Sequence, residues 1–188
     1  MHIGILINKM ETFSRPLRIL ATLILLFSFL LSSSTIKAEP LTKSQMISDI
    51  YFKDINNKTH QLSKYRGKWL FINFWAGYCA ICRQEIPTLI RFQQAHKDDV
   101  TILGVNYGGE THQEIKAAMA RYKFNYTIIP GQSSIYSIFR EVDATPTTII
   151  ISPEGRMVAK AIGQQSWQEL SAFIKDHRKK EPTMPWDD

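Results

Sequence analysis

The chain has 188 residues, 44% of them hydrophobic and 21% charged, with two cysteines and a formal net charge of +6. That is material for one domain with its own core, and it excludes a disordered polyelectrolyte, a collagen-like repeat and a multi-span membrane protein. Two cysteines are too few for a disulfide-stapled mini-protein or a four-cysteine zinc site.

The first 18 residues carry Lys9, Arg15 and Arg18 against a single acid, Glu11. Ile19 to Leu31 is apolar apart from Thr22 and Ser28, and Ser32 to Thr35 and Ile36-Lys37-Ala38 follow. Basic, apolar, then small is the order of a secretory signal peptide. The apolar stretch suits a signal core better than a full membrane span, which needs about 20 residues. Residues 1–38 are therefore expected to be a signal peptide ending at Ala38. Because Ile36 is larger than the usual residue three before a cleavage site, an uncleaved N-terminal anchor in the inner membrane is the alternative. No cysteine lies here to carry a lipid. The expected location is the periplasm or the extracytoplasmic side of the cytoplasmic membrane. Four bases and one acid fall in this segment, so the remainder carries only +3. With no basic stripe interleaved with aromatics, nucleic acid is not expected as a partner.

Residues 39–50 read as a polar lead-in. Tyr51 to Ile55 alternates, Asn56-Asn57 offers a turn and Thr59 to Leu62 continues, the pattern of a hairpin. Trp69 to Trp75 is almost continuously apolar, as in a strand buried on both faces. A helix is expected over about 79–96, and Val100 to Val105 reads as a second buried strand. Helical spacing covers Glu114 to Tyr122. Thr127 to Ile129 is a short strand stopped by Pro130-Gly131, and Ser134 to Arg140 a short helix. Thr147 to Ile151 is β-branched, and Pro153 to Arg156 turns the chain into Met157 to Ile162. Ser166 with Glu169 three residues on has the form of a capping box for a last helix reaching about His177. Arg178-Lys179-Lys180 complements the end of that helix. The domain is expected over 39–178, with 179–188 a flexible tail. Buried strands joined through helices imply a parallel crossover, and the later strand–turn–strand makes the sheet mixed.

Cys79-Ala80-Ile81-Cys82 is the informative site. It follows a buried strand at the expected start of a helix, where unpaired N–H groups and the helix dipole favour an anion. Cys79 is thus the expected nucleophilic thiolate. Cys82 lies one turn on, more buried and near enough to close a disulfide. A purely structural disulfide over so short a ring would staple little chain. Zinc would need two further ligands, and His60, His96, His112 and His177 show no ligand spacing and read as surface residues; no metal or cofactor is expected. A peroxidase relying on one cysteine would not need the neighbour at this spacing.

The stretch Trp75-Ala76-Gly77-Tyr78-Cys79-Ala80-Ile81-Cys82-Arg83-Gln84-Glu85-Ile86-Pro87 resembles the active-site segment of the thioredoxin superfamily. It is most similar to the TlpA-like branch of exported thiol–disulfide oxidoreductases, which includes thiol reductases of cytochrome c maturation. Tyr65-Arg66-Gly67-Lys68, Asn73, Ala144 to Thr148, Gly155-Arg156 and Gly163 extend the likeness over about residues 45–177. The resemblance implies a thioredoxin-like three-layer α/β sandwich, with a central mixed sheet flanked by helices and an N-terminal hairpin. It implies that Cys79 and Cys82 form a redox-active disulfide. It implies that Thr145-Pro146 is a cis-proline unit facing them, which frees the Thr145 backbone to pair with an extended substrate. Pro87 falls inside the helix and costs it a hydrogen bond.

Asn73 stands where thioredoxins proper carry a buried aspartate, and the TlpA-like branch commonly has asparagine there. Glu85 is then the nearest acid, one turn beyond Cys82: a proton-transfer group, a charge that raises the thiol pKa values by proximity, or a solvated helix carboxylate. Trp75 and Tyr78 are candidates for the substrate groove, with the core as the alternative for Trp75. Tyr78 departs from the family's usual tryptophan, and Ala80-Ile81 from its usual proline or charged residue. The expected activity is reduction of disulfides in exported partner proteins, apocytochrome c among them, with a membrane thiol-transfer protein as electron donor. The alternatives are a thiol oxidase or isomerase, and a partner-binding module with incidental redox activity.

Overall fold

The computed structural model describes residues 39–140 and 142–180. The expected signal peptide or anchor and residues 181–188 lie outside them.

The central sheet has six strands, in edge-to-edge order β1 (Glu39–Met46), β8 (Arg156–Ile162), β7 (Thr147–Ile151), β4 (Trp69–Trp75), β5 (Val100–Asn106) and β6 (Thr127–Ile129). Its middle is β4 (Trp69–Trp75), every residue of which is buried. Strand β5 (Val100–Asn106) lies parallel to it, and β6 (Thr127–Ile129) parallel to β5. On the other side β7 (Thr147–Ile151) runs antiparallel to β4, and β8 (Arg156–Ile162) antiparallel to β7. A separate two-stranded hairpin joins β2 (Tyr51–Lys53) to β3 (Thr59–Gln61). The mixed sheet and the hairpin are those expected from the apolar runs and the Asn-Asn turn.

Helix α1 (Ala80–Ala95) connects β4 to β5, and α2 (His112–Tyr122) connects β5 to β6. The short α3 (Ser133–Ile138) and the last helix α4 (Trp167–Lys180) complete the layers. Side chains alternate across β4. Phe71 and Trp75 meet Leu89 and Phe92 of α1, Ile115 of α2, and Leu170 and Ile174 of α4. Leu70, Ile72 and Phe74 meet Phe52, Leu62, Ile135 and Phe139 on the opposite face. The sheet is thus enclosed on both sides, which explains why its central strands carry no polar face.

Three boundaries differ from expectation. The 39–50 lead-in contains a strand, β1 (Glu39–Met46), paired antiparallel with β8 through an irregularity between Pro40 and Gln45. It is an edge strand, held by backbone pairing that needs no apolar alternation, and Pro40 is tolerated at such an edge. Helix α2 starts before Glu114 because Thr111 caps it: the Glu114 amide donates to Thr111 Oγ1 at 3.3 Å, and Thr111 N–H donates back to the Glu114 carboxylate at 2.8 Å. Helix α4 runs through Lys180, so 179–180 belong to it and not to a tail. Its Ser166–Glu169 capping box forms as expected.

His112 is exposed, as expected, but His60, His96 and His177 are not simply surface residues. The His60 ring lies between Asp54 (3.0 Å) and the Tyr65 hydroxyl (2.8 Å), bracing the hairpin. His96 packs on Phe92 and Trp167, and His177 stacks on Phe173.

Candidate active site

Cys79 is the N-cap of α1, and its backbone is extended there. Its Sγ accepts the Cys82 amide N–H at 3.1 Å. The sulfur therefore occupies the position that an oxygen holds in an ordinary cap, among amides with no partner inside the helix. Cys79 is half-buried and Cys82 is buried; the two form a disulfide with their Cα atoms 5.3 Å apart. An attacking group from outside reaches Cys79 first.

The turn that presents Cys79 is held at Gly77. Its carbonyl accepts from Arg83 Nη1 at 2.8 Å, and its N–H donates to the Glu110 carboxylate. Glu110 comes from the loop after β5; a Cβ at Gly108 would crowd its carboxylate and stand 2.8 Å from Ala76 Cβ, so glycine at 108 leaves room for it. Neither Arg83 nor Glu110 is assigned a role by the sequence. The cue is faint, since 33 residues separate Glu110 from Gly77.

The Thr145–Pro146 peptide is cis, and the Thr145 carbonyl oxygen lies 3.7 Å from Cys79 Sγ. The structure so brings the second sequence motif against the first. The Pro146 ring is itself buried, so what this segment offers to solvent is the half-buried Thr145. Pro146 accepts from the Gly163 amide at 2.8 Å, which ties the segment to the end of β8.

Glu85 is not a solvated carboxylate. It is 1% exposed and points at the sheet. Its oxygens accept from Asn73 Nδ2 at 3.0 Å and from the Gln165 amide at 2.8 Å. Asn73 Nδ2 also donates to Thr148 Oγ1 at 3.0 Å. Burial pushes the Glu85 carboxyl up to about 7, against the pull of the Gln165 and Asn73 donors. A buried acid that titrates near neutrality, one turn from Cys82, can take and return a proton. Thr148 and Gln165 escaped the sequence reading because they arrive from β7 and from the turn before α4.

The two aromatic candidates part company. Tyr78 is 72% exposed beside Cys79, and Ile81 between the cysteines is half-exposed. Trp75 is 1% exposed and packs on Phe124, so it belongs to the core and not to the groove wall. It ends the fully buried β4, and its side chain follows Phe71 and Asn73 onto the enclosed face. Among the described residues no group of three metal-ligating side chains comes together, and no helix is long and apolar enough to cross a membrane.

Comparison with known proteins accords with this arrangement. Residues 44–160 match the model of the AhpC/TSA family. The thiol-disulfide oxidoreductase ResA of Bacillus thuringiensis (strain Al Hakam) is 30% identical over 125 residues, covering 65% of this chain and 70% of that protein. ResA of Bacillus subtilis (strain 168) is 26% identical over 137 residues, 72% of this chain and 76% of its own. Among solved structures, the thioredoxin domain of a thiol-disulfide oxidoreductase from Bacteroides vulgatus superposes with a TM-score of 0.62 at 24% identity. It covers 73% of this chain and 98% of the other. With its thioredoxin-like fold and its relatedness to the ResA oxidoreductases, the chain belongs to the AhpC/TSA family.

Proposed function

We propose that the protein is a thiol–disulfide oxidoreductase that reduces disulfides of exported partner proteins through Cys79 and Cys82. The observation that carries the reading is the position of Cys79: its sulfur caps α1, is reachable from solvent, and faces the Thr145 backbone. In the dithiol form, the Cys79 thiolate attacks one sulfur of the partner's disulfide. A Cys79–partner bond forms, and the partner's other sulfur leaves as a thiolate and takes a proton from water. Cys82 then gives its proton to the Glu85 carboxylate and attacks Cys79 Sγ. The mixed disulfide breaks, the Cys79–Cys82 bond closes, and the reduced partner departs with both electrons.

Several features support reduction as the direction. Ala80 and Ile81 add no polar group that would stabilise the thiolate between the cysteines, which is the device of strong oxidants. The basic–apolar–small order of residues 1–38 supports export or anchoring at the outer face of the inner membrane, where the dithiol must be regenerated. A membrane thiol-transfer protein is the proposed donor. Apocytochrome c, with its paired cysteines, is the proposed partner class.

The test is capture. A Cys82→Ser variant of the full chain stalls at the mixed disulfide, and mass spectrometry of the trapped species identifies the partner. Recovery of a cysteine-bearing exported protein, lost when Cys79 is also replaced, supports the reading. Equal recovery without Cys79 refutes it, and equilibration with glutathione at a strongly oxidising potential reverses the direction.

A further inference from the structure

Two buried hydrogen-bond donors close on the strand position next to the one that holds Glu85, and among the described residues neither has a partner. Thr148, Asn73, Gly104 and Ile128 stand side by side across β7, β4, β5 and β6. Glu85 hangs over Asn73. The next place in that row is Gly104, which has no side chain. A Cβ there would stand 2.6 Å from Ile128 Cδ1, 3.1 Å from the Tyr126 ring and 3.4 Å from Trp75 Nε1. The phenol of Tyr126 and the N–H edge of Trp75 thus converge above this glycine. Tyr126 is 8% exposed, and neither its hydroxyl nor Trp75 Nε1 has a hydrogen-bond partner among the described residues. Such groups are uncommon in folded proteins and call for a use. Glu85 supplies one: it accepts two bonds, whereas an ionised carboxylate has room for about four.

We propose that Tyr126 is a positioning residue for the acid: with the Trp75 indole, its hydroxyl is the donor held for Glu85 when that carboxylate is ionised and ready to receive the proton of Cys82. Tyr126 acts on Glu85 and not on the partner protein. The inference rests on the reading of Glu85 as the proton acceptor. Burial, and then the nearby Glu85 charge, raise the Tyr126 phenol well above its ordinary range, so it stays a donor throughout. The other titratable group near Glu85 is Cys82, one turn earlier on its own helix. Strands β4 and β7 and the turn before α4 present the neutral Asn73, Thr148 and Gln165.

The experiment isolates the second chemical step. Reduced protein is loaded at Cys79 as the glutathione mixed disulfide, and release of glutathione by Cys82 is followed across pH in the wild type, Tyr126→Phe and Glu85→Gln. Tyr126→Phe keeps the ring and removes only a hydroxyl with no partner, so packing is retained. Its acid limb is expected to move to higher pH by about one unit, a tenfold change in proton affinity, while Glu85→Gln loses the limb. The infrared band of the protonated Glu85 carboxyl should persist to correspondingly higher pH in Tyr126→Phe. An unmoved limb and band in Tyr126→Phe, with the limb absent in Glu85→Gln, overturn the role of Tyr126 and leave that of Glu85 intact. A limb that survives in Glu85→Gln overturns Glu85 as the acceptor, and Tyr126 with it.

Discussion

Replacing Glu85 by glutamine should make the protein more stable at alkaline pH, and the size of the gain follows from the site. An ordinary glutamate releases its proton near 4.5, whereas Glu85 holds it to about 7 because burial penalises the charge more than the Gln165 and Asn73 donors offset it. Below 4.5 the group is protonated in folded and unfolded chains alike and has no effect. Between the two values the folded chain keeps a proton that the unfolded chain gives up, so stability falls as pH rises. Above about 7 the group is ionised in both states and the penalty is complete, about 3 kcal/mol. Glutamine still accepts from the Gln165 amide, and a rotated Asn73 amide satisfies the new NH2. The assay is denaturant unfolding of the oxidised protein from about pH 4 to about pH 8. The stability of Glu85→Gln minus that of the wild type should grow by about 3 kcal/mol over that range. Other titrating groups cancel in the difference. A difference flat to within about 0.5 kcal/mol would refute the idea that a buried, ionisable Glu85 destabilises the fold.

Other expectations concern the frame around the site. Burial alone would raise the Asp54 carboxyl, but bonds from the His60 ring and the Lys58 and Asn56 amides outweigh it and leave it lowered. Its contribution is therefore present above the ordinary aspartate range and is lost as pH falls below it; Asp54→Asn should cost about 1–3 kcal/mol in neutral-pH unfolding and less in acid. Gly104→Ala puts a methyl 2.6 Å from Ile128 Cδ1. It should lower stability by about 1–3 kcal/mol in the same assay, and an unchanged midpoint would show that the row has slack. Ser166→Ala removes the cap of α4 and should cost about 1 kcal/mol, read from thermal melts. In the reduced protein, iodoacetamide at neutral pH should modify Cys79 well before the buried Cys82, and faster than an ordinary thiol; peptide mapping identifies the site.

The parts of the molecule legible in its sequence were those where local chemistry and tertiary context agree. The apolar run of β4, short and rich in aromatic residues, has the pattern of a strand covered on both faces. The Ser166–Glu169 spacing closes the box it spells, and Cys79 sits at the helix start that the preceding strand demands. The illegible parts depend on neighbours far along the chain. Strand β1 is polar and is held by the backbone of β8. The environment of Glu85 is assembled from Asn73, Thr148 and Gln165, and no local pattern distinguishes its burial from exposure on the same helix. Trp75 illustrates the converse difficulty: adjacency to a reactive motif suggested a surface role, while the two-residue period of its strand sent the side chain inward. His60 looked isolated because its partners, Asp54 and Tyr65, meet it only once the hairpin and the following turn have formed.

The bond from the Gln165 amide to Glu85 gives the molecule its own indicator. That N–H lies just before the cap of α4, remote in sequence from both sulfurs, yet it touches the acid that titrates beside them. In an isotope-labelled sample its resonance should follow the protonation of Glu85 like a dye built into the main chain. The buried acid then becomes readable through each stage of the redox cycle with no foreign label near the cysteines.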